Sequence, residues 1–301
     1  MWTEVPNPRF AGVSVTIARS LLFVPGDRSD RFDKAVASGA DLVVCDLEDA
    51  VAPQAKLLAR EQVVRWLSHE GVACIRINSA DSSWYEDDCE ALAGLQGLLA
   101  VMVPKAENVE QIRALSEGLG SDTPIIALIE TALGVHRAFE IAQAPGVARL
   151  AFGAIDYAMD IETRDEDLAM LYARSTLVLK SRAAGIPAPI DGVTTRLDDS
   201  AAAKADAAKA RQLGFSGKLC IHPKQIAEVN AAFTPSAEEE HYASRVVASL
   251  RDGGVARLDG HMIDKPVIDQ ARRVLLRAEL FQRPDRHEPK SFECSHLKAS
   301  P

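Results

Sequence analysis

Eight apolar runs of strand length, each followed by a stretch of helical period, constrain this 301-residue chain more than any other feature. They fall at 20–24, 42–47, 73–77, 99–103, 125–129, 149–152, 188–190 and 219–221. The clearest helical patterns between them lie at 30–38, 55–68, 109–117, 131–143, 168–184 and 200–212. Several runs are apolar throughout instead of alternating, as expected of parallel strands with helices on one side and a barrel interior on the other. Gly39 and Gly214 stand just past two helical stretches, where a left-handed residue ends a helix. Eight such units between residues 19 and 233 predict an α/β fold, a closed (β/α)8 TIM barrel. An open doubly wound sheet is the alternative.

The flanks read differently. Residues 1–18 form an N-terminal extension before the barrel at 19–233. The segment 234–283 carries two amphipathic patterns, split by Asp252-Gly253-Gly254 and by Asp259-Gly260-His261, and is read as a C-terminal α-helical extension or lid. Residues 284–301 lack periodicity and are read as a disordered tail.

A net charge of −9 argues against nucleic acid and anionic membranes as partners, because both are bound mainly through basic patches. No run of 18 apolar residues exists and the N-terminus lacks a signal-peptide pattern, so a cytoplasmic location is expected. Of five cysteines, Cys45, Cys74 and Cys220 lie inside apolar runs and read as small buried hydrophobes, not as metal or redox ligands.

In a (β/α)8 barrel the chemistry sits at the C-terminal ends of the strands. Here polar residues follow every run: Asp27 and Arg28, then Asp46, Glu48 and Asp49, then Arg76 and Asn78, then Lys105, Glu130, Asp156, Asp191 and His222. One charge at a strand end usually caps the next helix. Eight in succession converge on one mouth, where Glu48, Glu130 and Asp156 would repel one another unless a cation neutralised them. Carboxylates without clustered Cys or His suit Mg²⁺ better than zinc.

The runs Arg19-Ser-Leu-Leu-Phe-Val-Pro-Gly, Asp46-Leu-Glu-Asp-Ala-Val-Ala-Pro, Arg76-Ile-Asn, Val103-Pro-Lys, Ile129-Glu-Thr-Ala, Phe152-Gly-Ala-Ile-Asp-Tyr and Gly217-Lys-Leu-Cys-Ile-His-Pro resemble the citrate lyase β-subunit-like family. That family includes malyl-CoA and citramalyl-CoA lyases, within the HpcH/HpaI aldolases and the phosphoenolpyruvate/pyruvate superfamily of barrels. The resemblance extends from residue 19 to about residue 280.

It implies a carbon–carbon lyase acting on a CoA thioester and a 2-oxo acid, in a homo-oligomer, trimer or hexamer. Glu130 and Asp156 match the pair that binds Mg²⁺, with Mn²⁺ as a possible substitute, and Glu130 also matches a substrate contact. Glu48 and Asp49 match an outer shell around metal-bound water, though Asp46 or Asp49 could instead cap the helix that starts near Pro53. Arg76 matches the substrate arginine; its alternative is a structural ion pair with the surrounding acids.

Phe23, Arg28, Lys34, Ile221 and His222 match CoA contacts, with Gly217-Lys218 in the same wall. Arg28, Arg31 and Lys34 recur every three residues and could share a helical face; His222 could equally be a hydrogen-bonded structural histidine. Gly260-His-Met-Ile-Asp264-Lys-Pro266 resembles the family's lid motif, whose aspartate transfers a proton, with a residue in the turn before a helix as the bland alternative. The acidic stretch from Asp160 to Asp167 departs from the family pattern at the substrate pocket. Two further readings stay open: a subunit acting on a carrier-bound thioester, and a non-catalytic CoA-thioester-binding protein.

Overall fold

A computed structural model describes residues 14–69, 71–120, 122–164, 166–249 and 256–281. The tail expected over 284–301, the first thirteen residues of the N-terminal extension and Asp252-Gly253-Gly254 lie outside the described residues. The chain divides into two compact units, with the boundary between Phe233 and Thr234.

The first unit alternates strand and helix: β1 (Ser20–Pro25), α1 (Phe32–Val36), β2 (Leu42–Asp46), α2 (Lys56–Leu67), β3 (Ala73–Arg76), α3 (Tyr85–Leu92), β4 (Leu98–Val103) and α4 (Val109–Leu119). It continues through β5 (Ile125–Ile129), α5 (Ala132–Ala142), β6 (Val147–Phe152), α6 (Ala154–Asp160), α7 (Asp167–Ala184), β7 (Ile190–Asp191), α8 (Ser200–Leu213), β8 (Gly217–Cys220) and α9 (Ile226–Phe233). The eight strands are parallel and close into a barrel in sequence order, β1 pairing with β8 through Ser20 opposite Lys218 and Leu21 opposite Leu219. This is the expected TIM barrel, and the open sheet is excluded.

Alternation along each strand divides the core in two. Leu21, Leu42, Val44, Cys74, Met102, Ile126, Leu128, Ala151, Ile190 and Leu219 form one cluster in the lumen. Their sequence neighbours Leu22, Val43, Cys45, Ile75, Val101, Ala127 and Leu150 join a larger cluster with the helices. Both faces of a parallel strand are therefore apolar, which explains the uninterrupted runs in the sequence.

Two local expectations are corrected. The pattern at 30–38 is a 3-10 turn (Ser29–Arg31) followed by the short α1, and Arg28 precedes both, so Arg28, Arg31 and Lys34 do not share one helix. The run at 188–190 contributes only Ile190 to a strand, β7 being two residues long. Pro187 and Pro189 have no N–H to give a ladder, which shortens this strand.

Beneath the barrel a fully buried Arg149 compensates for that short strand. Its guanidinium donates to the carbonyls of Ala18 (2.7 Å), Ala188 (3.0 Å), Val15 (3.2 Å) and Pro189 (3.4 Å), and to Ser216 Oγ (2.8 Å). One side chain thus ties the residues before β1, β7 and β8 together. Arg149→Met leaves these buried acceptors without that donor, and the expected loss is about 3–5 kcal/mol. The measurement is the thermal midpoint; an unchanged midpoint would show that water replaces the guanidinium without cost.

The second unit holds α10 (Ala237–Ala248), β9 (Ala256–Leu258), β10 (His261–Ile263) and α11 (Lys265–Phe281). Ser236 and Glu239 form a reciprocal capping box at the start of α10. An antiparallel β9–β10 hairpin, which the expectation of an α-helical extension did not include, lies in the sequence between the two helices. Its turn, Asp259 (φ 49°) and Gly260 (φ 85°), has the two positive φ values of a tight hairpin. Strands of three residues are too short to show an alternating pattern. Val246, Ile263, Ile268 and Ala271 form this unit's own small core. Among the described residues no helix is long and apolar enough to cross a membrane.

Candidate active site

The strands deliver their last residues to one mouth. Asp46 ends β2, Arg76 ends β3, Glu130 follows β5, and Asp156 lies in the first turn of α6. With Phe23, Leu128, Val193, Leu219 and Ile221 they line a cavity of about 270 Å³.

Arg76 is held by the β2 end. Its Nε and Nη2 donate to the two carboxylate oxygens of Asp46 at 2.7 and 2.6 Å, and one face of its guanidinium lies 4.9 Å from the centre of the Phe23 ring. Nη1 is 3.0 Å from Glu48 Oε2 and 3.7 Å from Asp49. Burial works against the charge, but the three acids outweigh it and hold the Arg76 pKa above its ordinary value. The ion-pair alternative for Arg76 therefore describes its geometry in this structure. Asp46 also accepts the backbone N–H groups of Glu48 (2.9 Å) and Ala50 (3.0 Å), so it shapes the loop that carries Glu48 and Asp49.

Glu48 and Glu130 are buried, Asp156 is half-buried and Asp49 is exposed. The Glu48 Oε2 contact with Arg76 lacks hydrogen-bond geometry, and that oxygen is buried with no hydrogen-bond partner. Burial first, then Asp49 and Asp46, push the Glu48 pKa up to about 7 against the pull of Arg76. Burial and the charges of Glu48 and Asp156 push Glu130 up to about 8, although the Lys105 N–H and Arg76 favour its charged form. Acids crowded beyond what Arg76 compensates are what a cation would relieve.

Two features that shape this crowd were not visible in the sequence, which placed Lys105 at a strand end but not the role of its backbone. Gly153 is one: a Cβ there would lie 2.5 Å from Glu130 Cβ and 2.6 Å from Glu130 Oε2, so only glycine leaves room for the Glu130 side chain. Lys105 is the other. Its backbone takes a left-handed φ of 45°, unusual for a residue with a side chain, and its N–H donates to Glu130 Oε1 at 2.7 Å. The capping alternative for Glu130 does not hold, because Thr131 caps α5 through Gly134 N–H and leaves the Glu130 carboxylate to the mouth.

Among the described residues no group of three or more His, Cys, Asp and Glu side chains is arranged to hold a metal alone. An ion here would draw on Glu130 and Asp156, with water and substrate oxygens completing its shell, a set typical of Mg²⁺. The uncompensated carboxylates, with Glu130 held in place beside Gly153, fit such an ion.

A family model described as HpcH/HpaI aldolase/citrate lyase matches residues 19–223, well over half of the chain. The chain belongs to this family. A second model, a C-C bond lyase of the TIM-barrel fold, matches residues 195–282. The citrate lyase subunit beta-like protein of Deinococcus radiodurans is 37% identical over 278 residues, covering 86% of this chain and 96% of its own. The (3S)-malyl-CoA thioesterase of Cereibacter sphaeroides is 33% identical over 272 residues, covering 87% and 94%. Among solved structures, CitE of Mycobacterium tuberculosis in complex with magnesium, acetoacetate and coenzyme A superimposes with a TM-score of 0.77 at 34% identity, covering 87% of this chain and 98% of that one.

In this HpcH/HpaI family chain the remaining candidate residues are spread more widely. Arg28 is half-exposed and places its fork on Asp30 at 2.9 and 3.0 Å; Lys34 is exposed on α1. His222 Nδ1 accepts from Lys224 N–H at 3.2 Å and caps the 3-10 turn Pro223–Gln225. Lys218, expected in the same wall, is instead buried and bonded to Asp191, which faces it from β7. Asp160, in the acidic stretch, accepts Ala132 N–H at 2.7 Å. Asp264, in the second unit, accepts Val267 N–H at 3.3 Å in the first turn of α11.

Proposed function

We propose that this family member is a Mg²⁺-dependent lyase that cleaves or forms a 3-hydroxyacyl-CoA. Malyl-CoA and citramalyl-CoA are the leading substrates, giving acetyl-CoA with glyoxylate or pyruvate. The observation that carries the reading is the crowding of Glu48, Glu130 and Asp156 at one mouth, with Glu130 aimed by the Lys105 amide and given room by Gly153. Glu130 and Asp156 would hold the ion. When bound, it supplies Lewis-acid polarisation of the substrate hydroxyl or keto oxygen and orients the acid fragment.

The carbinol hydroxyl gives up its proton to water as its oxygen becomes the keto oxygen. The bond from the carbinol carbon to the carbon next to the thioester breaks, its electron pair leaving with the thioester as an enolate and the other fragment as a 2-oxo acid. Arg76, fixed by Asp46 and stacked on Phe23, places positive charge beside the oxygen on which charge grows. Asp264 protonates the enolate carbon, or removes that proton in the condensation direction. Phe23, Arg28, Lys34, Ile221 and His222 contact CoA. The exposed Arg28–Asp30 pair is weak enough to exchange for a phosphate. In this reading the second unit is a lid over the mouth of a barrel in a homo-oligomer.

The thioesterase named among the relatives supports a second reading, in which hydrolysis follows condensation. Mass spectrometry of products from malyl-CoA and citramalyl-CoA, with and without Mg²⁺, tests both. Acetyl-CoA plus a 2-oxo acid, formed only with Mg²⁺, is the expected result. Free malate or citramalate with CoA supports the thioesterase reading. No turnover of either ester, together with activity on the same acyl group attached to an acyl-carrier protein, would replace free CoA esters by carrier-bound ones.

A further inference from the structure

The layer between a barrel and its helices is normally apolar, yet behind β7 it holds three buried charges. Lys218 Nζ lies 3.1 Å from Asp191 Oδ2, and Arg174 Nε of α7 lies 2.8 Å from Asp191 Oδ1. Their side chains are 2%, 3% and 11% exposed for Lys218, Asp191 and Arg174. A buried ionic group adds little stability over well-packed apolar residues of the same shape. What it adds is direction. Lys218 Nζ also donates to the Gly192 carbonyl at 2.6 Å, and the Arg174 guanidinium lies over the Phe152 ring at 5.4 Å.

Gly192 joins this cluster to the mouth. A Cβ there would lie 3.0 Å from the Phe152 carbonyl oxygen and 3.2 Å from Ala154 Cβ, so Gly192 packs directly on the turn that contains Gly153 and leads to Asp156. Its neighbour Val193 lines the cavity. Backbone pairing secures this region weakly: β7 meets β6 through the single pair Ala151–Ile190 and β8 through two. We infer that Lys218, Asp191 and Arg174 are positioning residues that fix the Val193 wall and the Gly153–Asp156 turn, and so set how large a 2-oxo acid substituent the cavity accepts. The substituent part rests on the proposed lyase reading; the positioning part does not.

The test replaces the cluster by apolar residues in the full-length protein, Arg174→Met with Asp191→Leu and Lys218→Met, and makes Lys218→Met alone in case the triple variant does not accumulate. Amide hydrogen exchange reads the positioning without reference to activity. Exchange at residues 153–156 and 193–194 is expected to rise about tenfold or more, while β2 to β5 stay as in wild type. Steady-state kinetics reads the consequence: the ratio of kcat/KM for malyl-CoA to that for citramalyl-CoA, which differ by a methyl group, is expected to shift by about tenfold. Folded variants with wild-type exchange at those residues overturn the inference. Altered exchange with an unchanged ratio overturns its specificity part. If wild type turns over neither ester, the lyase reading fails, and the exchange result still decides the positioning.

Discussion

Glu130→Gln is expected to lower Mg²⁺-dependent turnover by roughly 10³-fold or more, and also to make the metal-free protein more stable above pH 7. The two effects have one cause. Burial, with Glu48 and Asp156 close by, pushes the Glu130 pKa up to about 8 from an ordinary 4.5. The folded state therefore holds this proton more tightly than the unfolded chain does. The stabilisation is fully present below about pH 4.5 and is lost as pH rises through about 8; Glu48, pushed up to about 7, adds loss of the same sign. Glutamine carries no charge to desolvate, so this part of the alkaline loss disappears. Melting in EDTA at pH 6 and pH 8.5 should show a smaller pH-dependent drop in Glu130→Gln than in wild type, and Mg²⁺ should restore only the wild type at high pH. Asp156→Asn should share the loss of Mg²⁺ affinity and turnover. Calorimetric titration giving unchanged Mg²⁺ affinity in both variants would remove the metal assignment.

Asp264→Asn is expected to lower kcat by roughly 10²–10⁴-fold, the range of a general acid–base group, with CoA-ester affinity near wild type. The structure makes this substitution a clean one. Asp264 Oδ1 accepts the Val267 N–H, and an asparagine oxygen caps a helix equally well, so α11 should keep its start. A fall in kcat with an unchanged melting midpoint then reports chemistry and not unfolding of the second unit. If the lid serves a neighbouring subunit, mixing Asp264→Asn chains with Glu130→Gln chains should recover part of the activity, because some mouths receive an intact barrel and an intact lid. Full activity in Asp264→Asn alone would leave this residue with capping as its only role.

The barrel was legible because its information is periodic and local: apolar runs bounded by glycine and helical patterns, of which 125–129 coincides with β5. The mouth was legible for the same reason, since a strand end fixes where Arg76, Glu130 and Asp156 go. What was not legible depends on which face a residue takes or on main-chain geometry. Lys218 and Asp191 read as mouth residues, but the strand's alternation turns both outward, and nothing at a two-residue strand reveals that phase. Gly153 stood in the sequence only as part of the run Phe152-Gly-Ala-Ile-Asp-Tyr; its significance is the atom it lacks. The short hairpin of β9 and β10 carried only its Asp-Gly turn as a signal, which read equally well as a break between helices.

The Lys105 amide bears on how this mouth will respond to mutagenesis. A scan that truncates side chains removes what a residue's tip contributes, whereas the bond to Glu130 comes from a peptide group that every such variant except proline retains. Position 105 will thus look tolerant in a library screen, and glycine there would even relieve the left-handed backbone. Only a change to the chain itself, such as an amide-to-ester exchange at that link, exposes the dependence. Ranking residues here by substitution sensitivity would miss a donor to Glu130 that sequence drift cannot easily delete.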